Sequence, residues 1–267
     1  MAIKIAFSTV ACPEWPLEKV AEQAEALGYD GVELRTLGSG GGELASDPAL
    51  MDNSQVKDTL AAHGVKVACL STSISLHPKG DTEIFQARQQ TRDQIERAEA
   101  IGADSVRVFV NQIYPGEDRA TSLRRVAETA RPLVDEAADR GVRLLFENAG
   151  SFAAAKPWWW LMEMLDHPMA GILWNAANAA AADEADRGGA VSITALNSRI
   201  AMAKLKDTRV GEGVGFLPLG DGNVGVEKAV RRLLGIGFTG WISLEWDRVW
   251  LPSLAPAEEY LPEAIER

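Results

Sequence analysis

Apolar positions recur along this chain in two alternating rhythms. Leu17, Val20, Ala21, Ala24 and Leu27, and again Leu123, Val126, Ala127, Ala130, Val134 and Ala137, fall every three or four residues, the spacing of helices that bury one stripe. Between such segments stand short apolar runs of strand length. Several junctions share one grammar: Ala26–Arg35, Ala100–Phe109 and Gly235–Glu245 each pass from a helix end through glycine into a strand, and the shorter His63–Leu70 and Arg140–Phe146 do the same. Glycine suits that position because a helix commonly ends in a left-handed residue, a conformation that a Cβ penalises. The pattern predicts eight strands, at 3–8, 31–35, 65–71, 105–110, 142–147, 171–175, 200–206 and 241–246. Helices fill the gaps, with the weakest periodicity at 190–197. Pro132 predicts a kink in its helix, or a start delayed to that point.

Strands that alternate with helices pair in parallel through right-handed crossovers, and eight such units in 267 residues predict a closed (β/α)8 TIM barrel. An open doubly wound sheet is the alternative. No composition break divides the chain, so residues 1–267 are expected to form one domain, with Gly38–Gly42 as a mobile loop after the second strand. The hydrophobic share of 46% and charged share of 24% suit a large buried core and exclude disorder.

Charge narrows the partners. A net charge of −11 disfavours nucleic acid, which is gripped through clustered basic side chains. There is no apolar stretch of about 18 residues and no basic leader before an apolar region, so no membrane role and a cytoplasmic location are expected. Cys12 and Cys69 lack metal-like spacing and are read as reduced.

In a barrel of this kind chemistry sits at the carboxyl ends of the strands. The polar strand ends are Glu33 and Arg35, Ser71 and Ser73, Arg107, Glu147 and Asn148, Asn175, Lys204 with Lys206 and Asp207, and Glu245 with Asp247. Glu147, Asn175, Lys204 and Glu245 end strands five to eight, so four neighbouring strands offer two carboxylates, an amide and an amine to one region. Both glutamates terminate apolar runs, where burial without a partner is costly and a cation between them would relieve the cost.

At these residues the chain resembles the xylose-isomerase-like barrels, a family of sugar isomerases, 3-epimerases, dehydratases and one endonuclease type. The resemblance is carried by Gly31–Arg35, Phe146–Phe152, Ile172–Asn178, Leu205–Asp207, Leu219–Val224 and Gly240–Trp246, in that order along most of the chain. It implies a divalent metal held by Glu, Asp, His and Glu from strands five to eight, with the two glutamates as acid and base on carbon. Glu147 and Glu245 match that pattern. Asn175 stands in the place of Asp and Lys204 in the place of His, and His63, His77 and His167 lie elsewhere.

A lysine between two glutamates stays protonated and has no lone pair for a metal. The expectation is therefore a carbohydrate isomerase or epimerase with no cofactor, in which Glu147 and Glu245 move a proton at carbon next to a carbonyl and the Lys204 ammonium takes the metal's duty. Two carboxylates and one ammonium carry the same net charge of about −1 as three carboxylates and a dication, and a monovalent donor implies a slower reaction or an easier substrate. A Mn or Mg ion held weakly by Glu147 and Glu245 is the alternative cofactor. The same proton abstraction with loss of a β-leaving group would make a lyase. A non-catalytic sugar-binding barrel and a Schiff-base aldolase using Lys204 or Lys206 are further alternatives.

Asn175, Asn178, Arg107, Arg35 and Trp246 are the candidate substrate contacts, the arginines to hydroxyls or a phosphate and Trp246 to a sugar face. Each has a structural alternative in packing or ion pairing. Trp158–Trp160 is read as helix packing or a subunit contact, which leaves a homo-oligomer open, with a roof over the pocket as the functional alternative, and Gly211–Gly215 as a flexible loop beside the mouth.

Overall fold

A computed structural model describes residues 3–37, 43–44, 52–110, 113–213 and 215–267. Eight parallel strands form the sheet: β1 (Lys4–Ser8), β2 (Gly31–Leu37), β3 (Lys66–Ser75), β4 (Ser105–Phe109), β5 (Arg143–Glu147), β6 (Ala170–Asn175), β7 (Ile200–Leu205) and β8 (Trp241–Leu244). Each pairs with its sequence neighbours, and β1 pairs with both β2 and β8, so the sheet closes on itself. The barrel, rather than the open sheet, is the fold. All eight strand segments read from the sequence are found. The third runs on to Ser75, and its register with β4 shifts between Ser71 and Ser75, which reshapes the mouth there. The glycine run at 38–42 lies outside the described residues.

The helices are α1 (Leu17–Leu27), α2 (Asn53–Ala62), α3 (Asp81–Ile101), α4 (Arg119–Asp139), α5 (Ala155–Leu165), α6 (Ala176–Ala182), α7 (Ser192–Leu196), α8 (Val226–Gly235) and α9 (Ala257–Glu266). Gly28 and Gly102 end α1 and α3 with φ of 80° and 72°, the left-handed caps that the repeated grammar implied. The weak periodicity near 190–197 yields only the short α7.

One expectation is corrected. The helix containing Pro132 does not begin late: α4 starts at Arg119, capped by the Asp118 side chain, and continues through the proline to Asp139. A proline nitrogen leaves the carbonyl four residues earlier without its donor. That carbonyl belongs to Glu128, and Arg88 of α3 supplies the missing bond through Nη2 at 2.8 Å, with Nε on Thr129 O at 3.1 Å.

The lower barrel interior is filled by Ala6, Ala68, Cys69, Leu145, Leu173, Met202 and Trp241. A larger apolar layer lies between the strands and the helices. With the interior packed, polar side chains can gather only above it, at the carboxyl ends of the strands.

Candidate active site

Lys204 is the centre of that upper layer. Its side chain rises from β7 with no exposed surface. The ammonium stands 2.8 Å from Glu33 Oε1, 2.8 Å from Glu245 Oε2 and 3.4 Å from Glu147 Oε2. Three carboxylates thus surround one ammonium, two in close ion pairs and the third, Glu147, accepting its hydrogen bond on Oε2. Burial alone would lower the Lys204 pKa, but Glu147, Glu245 and Glu33 raise it well above the usual lysine range. The amine is therefore held charged.

Each carboxylate is further held. Glu147 accepts Asn175 Nδ2 at 2.9 Å on Oε1 and has Arg107 Nε 3.0 Å from Oε2. Burial pushes its pKa up, yet Lys204 and Arg107 outweigh burial and leave it below the ordinary glutamate value. Glu245 is shared by Lys204 and by Lys206, whose Nζ lies 2.8 Å from Oε1, and its pKa is depressed strongly against the pull of burial. Lys206 also reaches Asp247 Oδ2 at 3.0 Å. Asp247 is pushed up to about 6, by burial first and then by Glu245.

Sequence reasoning noted Glu33 as a polar strand end without giving it a role. In the structure it is a full member of the cluster, accepting Ser71 Oγ and Ser243 Oγ at 2.5 Å each besides Lys204. The available signal was a charged residue flanked by apolar ones within Gly31–Leu37 of β2. Two carboxylates and one ammonium thus undercount the site. Four acidic groups, Glu33, Glu147, Glu245 and Asp247, and four basic ones, Lys204, Lys206, Arg107 and Arg35, belong to this layer, which makes it close to neutral when all are charged.

Asn175 caps α6, accepting the Asn178 N–H on Oδ1 at 3.2 Å while its amide nitrogen serves Glu147. Asn178 lies one turn on, half-buried, and donates to Asn148 O. Arg107 also donates through Nη1 to Thr72 O at 2.6 Å and covers the Phe109 ring at 3.9 Å. Arg35 stands apart from the carboxylates and donates to Thr36 O, Ser71 O and Ser73 Oγ. Trp246 is occupied by packing: its ring stacks on Tyr260 of α9 at 4.1 Å and its Nε1 donates to Ala255 O. That corrects the expectation of a free aromatic face beside Glu245, because the strand turns outward after Leu244 and takes the indole toward the helix layer.

Asp207, next to Lys206, has a scaffolding task. Its carboxylate accepts the backbone N–H groups of Thr208, Val224, Gly220 and Gly222 and so ties the 218–224 loop to the end of β7. Gly222 is required there, since a Cβ would fall on Asp207 Oδ1 and Thr208 O. The segment 211–215, apart from residue 214, turns between the short paired strands Asp207–Thr208 and Phe216–Leu217, and the Phe216 ring lies 4.6 Å from Lys206 Nζ. On α5, Trp158 is buried while Trp159 and Trp160 are 41% and 43% exposed. A cavity of about 500 Å³ at the opposite end of the barrel, lined by Lys4, Asp104, Arg143 and Trp241 among others, includes none of the strand-end residues.

The divalent metal implied by the resemblance does not fit this donor set. The point where the carboxylates converge is taken by a protonated nitrogen without a lone pair, and among the described residues no group of three or more His, Cys, Asp and Glu is arranged to hold a metal. His63 pairs with Glu25 at the end of α2, His77 lies against Arg125 and Glu117, and His167 accepts the Met169 N–H. Among the described residues no helix is long and apolar enough to cross a membrane.

Solved structures share the fold. A structure of the IolI protein with a bound zinc atom has 17% identity and a TM-score of 0.80, covering 99% of this chain and 96% of that one. D-allulose 3-epimerase from Methylomonas sp., in complex with D-allulose, has 18% identity and a TM-score of 0.79, covering 99% and 96%. The probable 3-DHS dehydratase AsbF from Bacillus anthracis has 15% identity and a TM-score of 0.77, covering 99% and 98%. The comparison with curated protein sequences finds no match. At these identities the structural likeness speaks for the fold, while the family model described as xylose isomerase-like TIM barrel matches residues 21–267. On that match, with eight strands closed into the barrel it describes, the chain belongs to the xylose isomerase-like TIM barrel family.

Proposed function

We propose that the protein is a carbohydrate isomerase or epimerase that moves a proton at carbon next to a carbonyl, with Glu147 and Glu245 as the acid–base pair and the Lys204 ammonium as the electrophile. The observation that carries this reading is the convergence of two strand-end glutamates on one buried ammonium at the barrel mouth. A sugar 3-epimerase with its ketose bound is among the solved structures of this fold, which supports the choice of substrate class.

Glu147 is the better first base. Lys204 holds it at 3.4 Å, against 2.8 Å for Glu245, which a second lysine also clamps. When Glu147 takes a proton from carbon it loses its charge, and its hold on the third ammonium N–H weakens. That N–H then turns to the oxygen on which charge develops, so proton removal and oxyanion stabilisation are linked through one bond. Asn175 keeps the Glu147 carboxylate aimed, and Arg107 restrains its other oxygen. Both glutamates are weak bases because cations surround them, and the substrate C–H must be correspondingly acidic. Proton return to the opposite face gives an epimer, and return to the neighbouring carbon an isomer.

Two other readings have specific support. Expulsion of a β-leaving group after the same abstraction gives a dehydratase, and a protein described as the probable 3-DHS dehydratase is among the solved structures of the fold. Enclosure of the Lys204 ammonium by three carboxylates is what a barrel that binds sugar without turnover would also have. A Schiff base is opposed by the same contacts, since it needs a neutral amine and the pKa values of Lys204 and Lys206 are both raised.

The deciding experiment is NMR of a ketose and inosose panel incubated with the protein in deuterated water. Exchange of a C–H next to the carbonyl is expected, with Glu147→Gln reducing it by about 10²–10⁴-fold. Silence across the panel would leave the non-catalytic reading in its place, and borohydride trapping of a ketose on either lysine would favour the aldolase.

A further inference from the structure

The arginines at the mouth differ in one respect. Arg107 has a carboxylate at 3.0 Å, in Glu147. Arg35 is only 7% exposed, yet among the described residues no carboxylate oxygen lies within 4.0 Å of its guanidinium. Among the described residues its hydrogen bonds all run through Nη1, to two backbone carbonyls and the Ser73 hydroxyl, and Nε and Nη2 have no acceptor. The carboxylates that could have served it are committed: Glu33 to Lys204 and two serines, Glu147 to Arg107, Lys204 and Asn175, and Glu245 to two lysines.

A buried cation without a direct counterion is costly, and fixed arginines in that state are suited to anions. The electrostatics agree: the Arg35 pKa is pushed down to about 10, by burial first and then by Arg107, and Glu147, Glu245 and Glu33 offset this only in part. The setting is also that of a ligand site. The guanidinium lies between the ring of Phe109, 5.9 Å away at the end of β4, and the ring of Trp250, 5.6 Å away in the segment after β8. Trp250 is 49% exposed, and its neighbour Val249 bonds to Val10 O, so this segment crosses over the end of β1 toward β2 and leaves an indole at the solvent edge of the mouth.

We propose that Arg35 is the anion-recognition residue of the site, binding a carboxylate or phosphate group of the substrate through Nε and Nη2, which no acceptor among the described residues occupies, beside the indole of Trp250. The inference rests on the reading of the mouth as a carbohydrate site and deepens it: the substrate is an acidic sugar or a sugar phosphate rather than a neutral ketose. The planar fork of a guanidinium can meet either oxyanion with two parallel bonds.

Calorimetric titration with D-fructose, D-fructose 6-phosphate and 5-keto-D-gluconate tests it on the intact protein. One of the two anions is expected to bind about tenfold or more tighter than D-fructose, and which one identifies the group recognised. Arg35→Met is expected to bring that anion down to the affinity of D-fructose, and Arg35→Lys to keep part of the preference. Absence of any preference in the unaltered protein, or a preference that survives Arg35→Met, would overturn the proposal. Should Arg35→Met not fold, the ¹⁵N-labelled arginine Nε–H resonance of Arg35 in the unaltered protein tests the same contact: it shifts on addition of the preferred anion, and an unmoved resonance counts against the assignment. Exchange of a neutral ketose C–H without anion preference would remove this inference and leave the proposed chemistry standing. Anion preference erased by Arg35→Met, without any exchange, would do the reverse.

Discussion

Replacing Lys204 by methionine keeps the length of the side chain and removes its charge from among three carboxylates. At an effective dielectric of about 20, a unit-charge pair at the 2.8 Å separations of Glu33 and Glu245 is worth roughly 6 kcal/mol before desolvation, and the 3.4 Å contact with Glu147 about 5 kcal/mol. Much of this is spent on taking four ions out of water, so the net figure is far smaller. Breaking a buried ion pair from one side costs about 3–5 kcal/mol because the remaining charge is stranded. Arg107, Lys206 and the two serines still serve the carboxylates, which places Lys204→Met within that range rather than above it.

The pH dependence is the sharper part of this prediction. In the unaltered protein Glu147 and Glu245 have depressed pKa values, so their contribution to stability is present above the ordinary glutamate value and is lost as pH falls below it. Without Lys204 the carboxylates Glu147 and Glu245 lose the cation that does most to hold their values down, so the deficit of the variant is expected to shrink as pH falls from 7 toward 5. Urea unfolding at pH 7.0 and 5.5 measures both. A deficit below about 1 kcal/mol at pH 7, or one that does not shrink on acidification, would refute the assignment of Lys204 as the counter-charge of the mouth.

Three further outcomes are expected. Asp247 is raised from the ordinary 3.8 to about 6, so its neutral form is favoured in the folded state and stability falls as pH rises from 4 through 6; relative to Asp247→Asn the unaltered protein should lose up to about 3 kcal/mol over that interval, read from urea midpoints. Asp207→Ala strips an acceptor from four backbone N–H groups and should cost about 3 kcal/mol, with faster hydrogen exchange at Gly220, Gly222 and Val224. The double replacement Lys204→His with Asn175→Asp restores the ligand types of the family pattern and should create Mn²⁺ binding detectable by calorimetry; absence of any heat would show that the carboxylates need more than those two changes to accept a metal.

The alternation of periods and the glycine punctuation pointed to the barrel over the open sheet, because both report local physics: which stripe of a helix is apolar, and where a chain must turn left-handed. They also delivered Glu147, Asn175, Lys204 and Glu245 to neighbouring strand ends, and those four do meet. Local pattern offered a late start at Pro132 as one of two outcomes, and that one fails, since the donor that replaces its missing N–H comes from Arg88 on another helix. It misjudged Trp246 for a similar reason, the ring being claimed by Tyr260 far along the chain.

Partnership among charges was decided only by the tertiary structure. Sequence places Glu33, Arg35, Arg107 and Lys206 at strand ends alike, and nothing in their spacing says that Glu33 turns to Lys204 while Arg35 is left without a carboxylate among the described residues. A strand fixes the side to which a residue points, through its twofold alternation. It does not fix which charge on the opposite wall lies within 3 Å, because that distance depends on barrel closure, on the shifted register between Ser71 and Ser75, and on how far each long side chain extends.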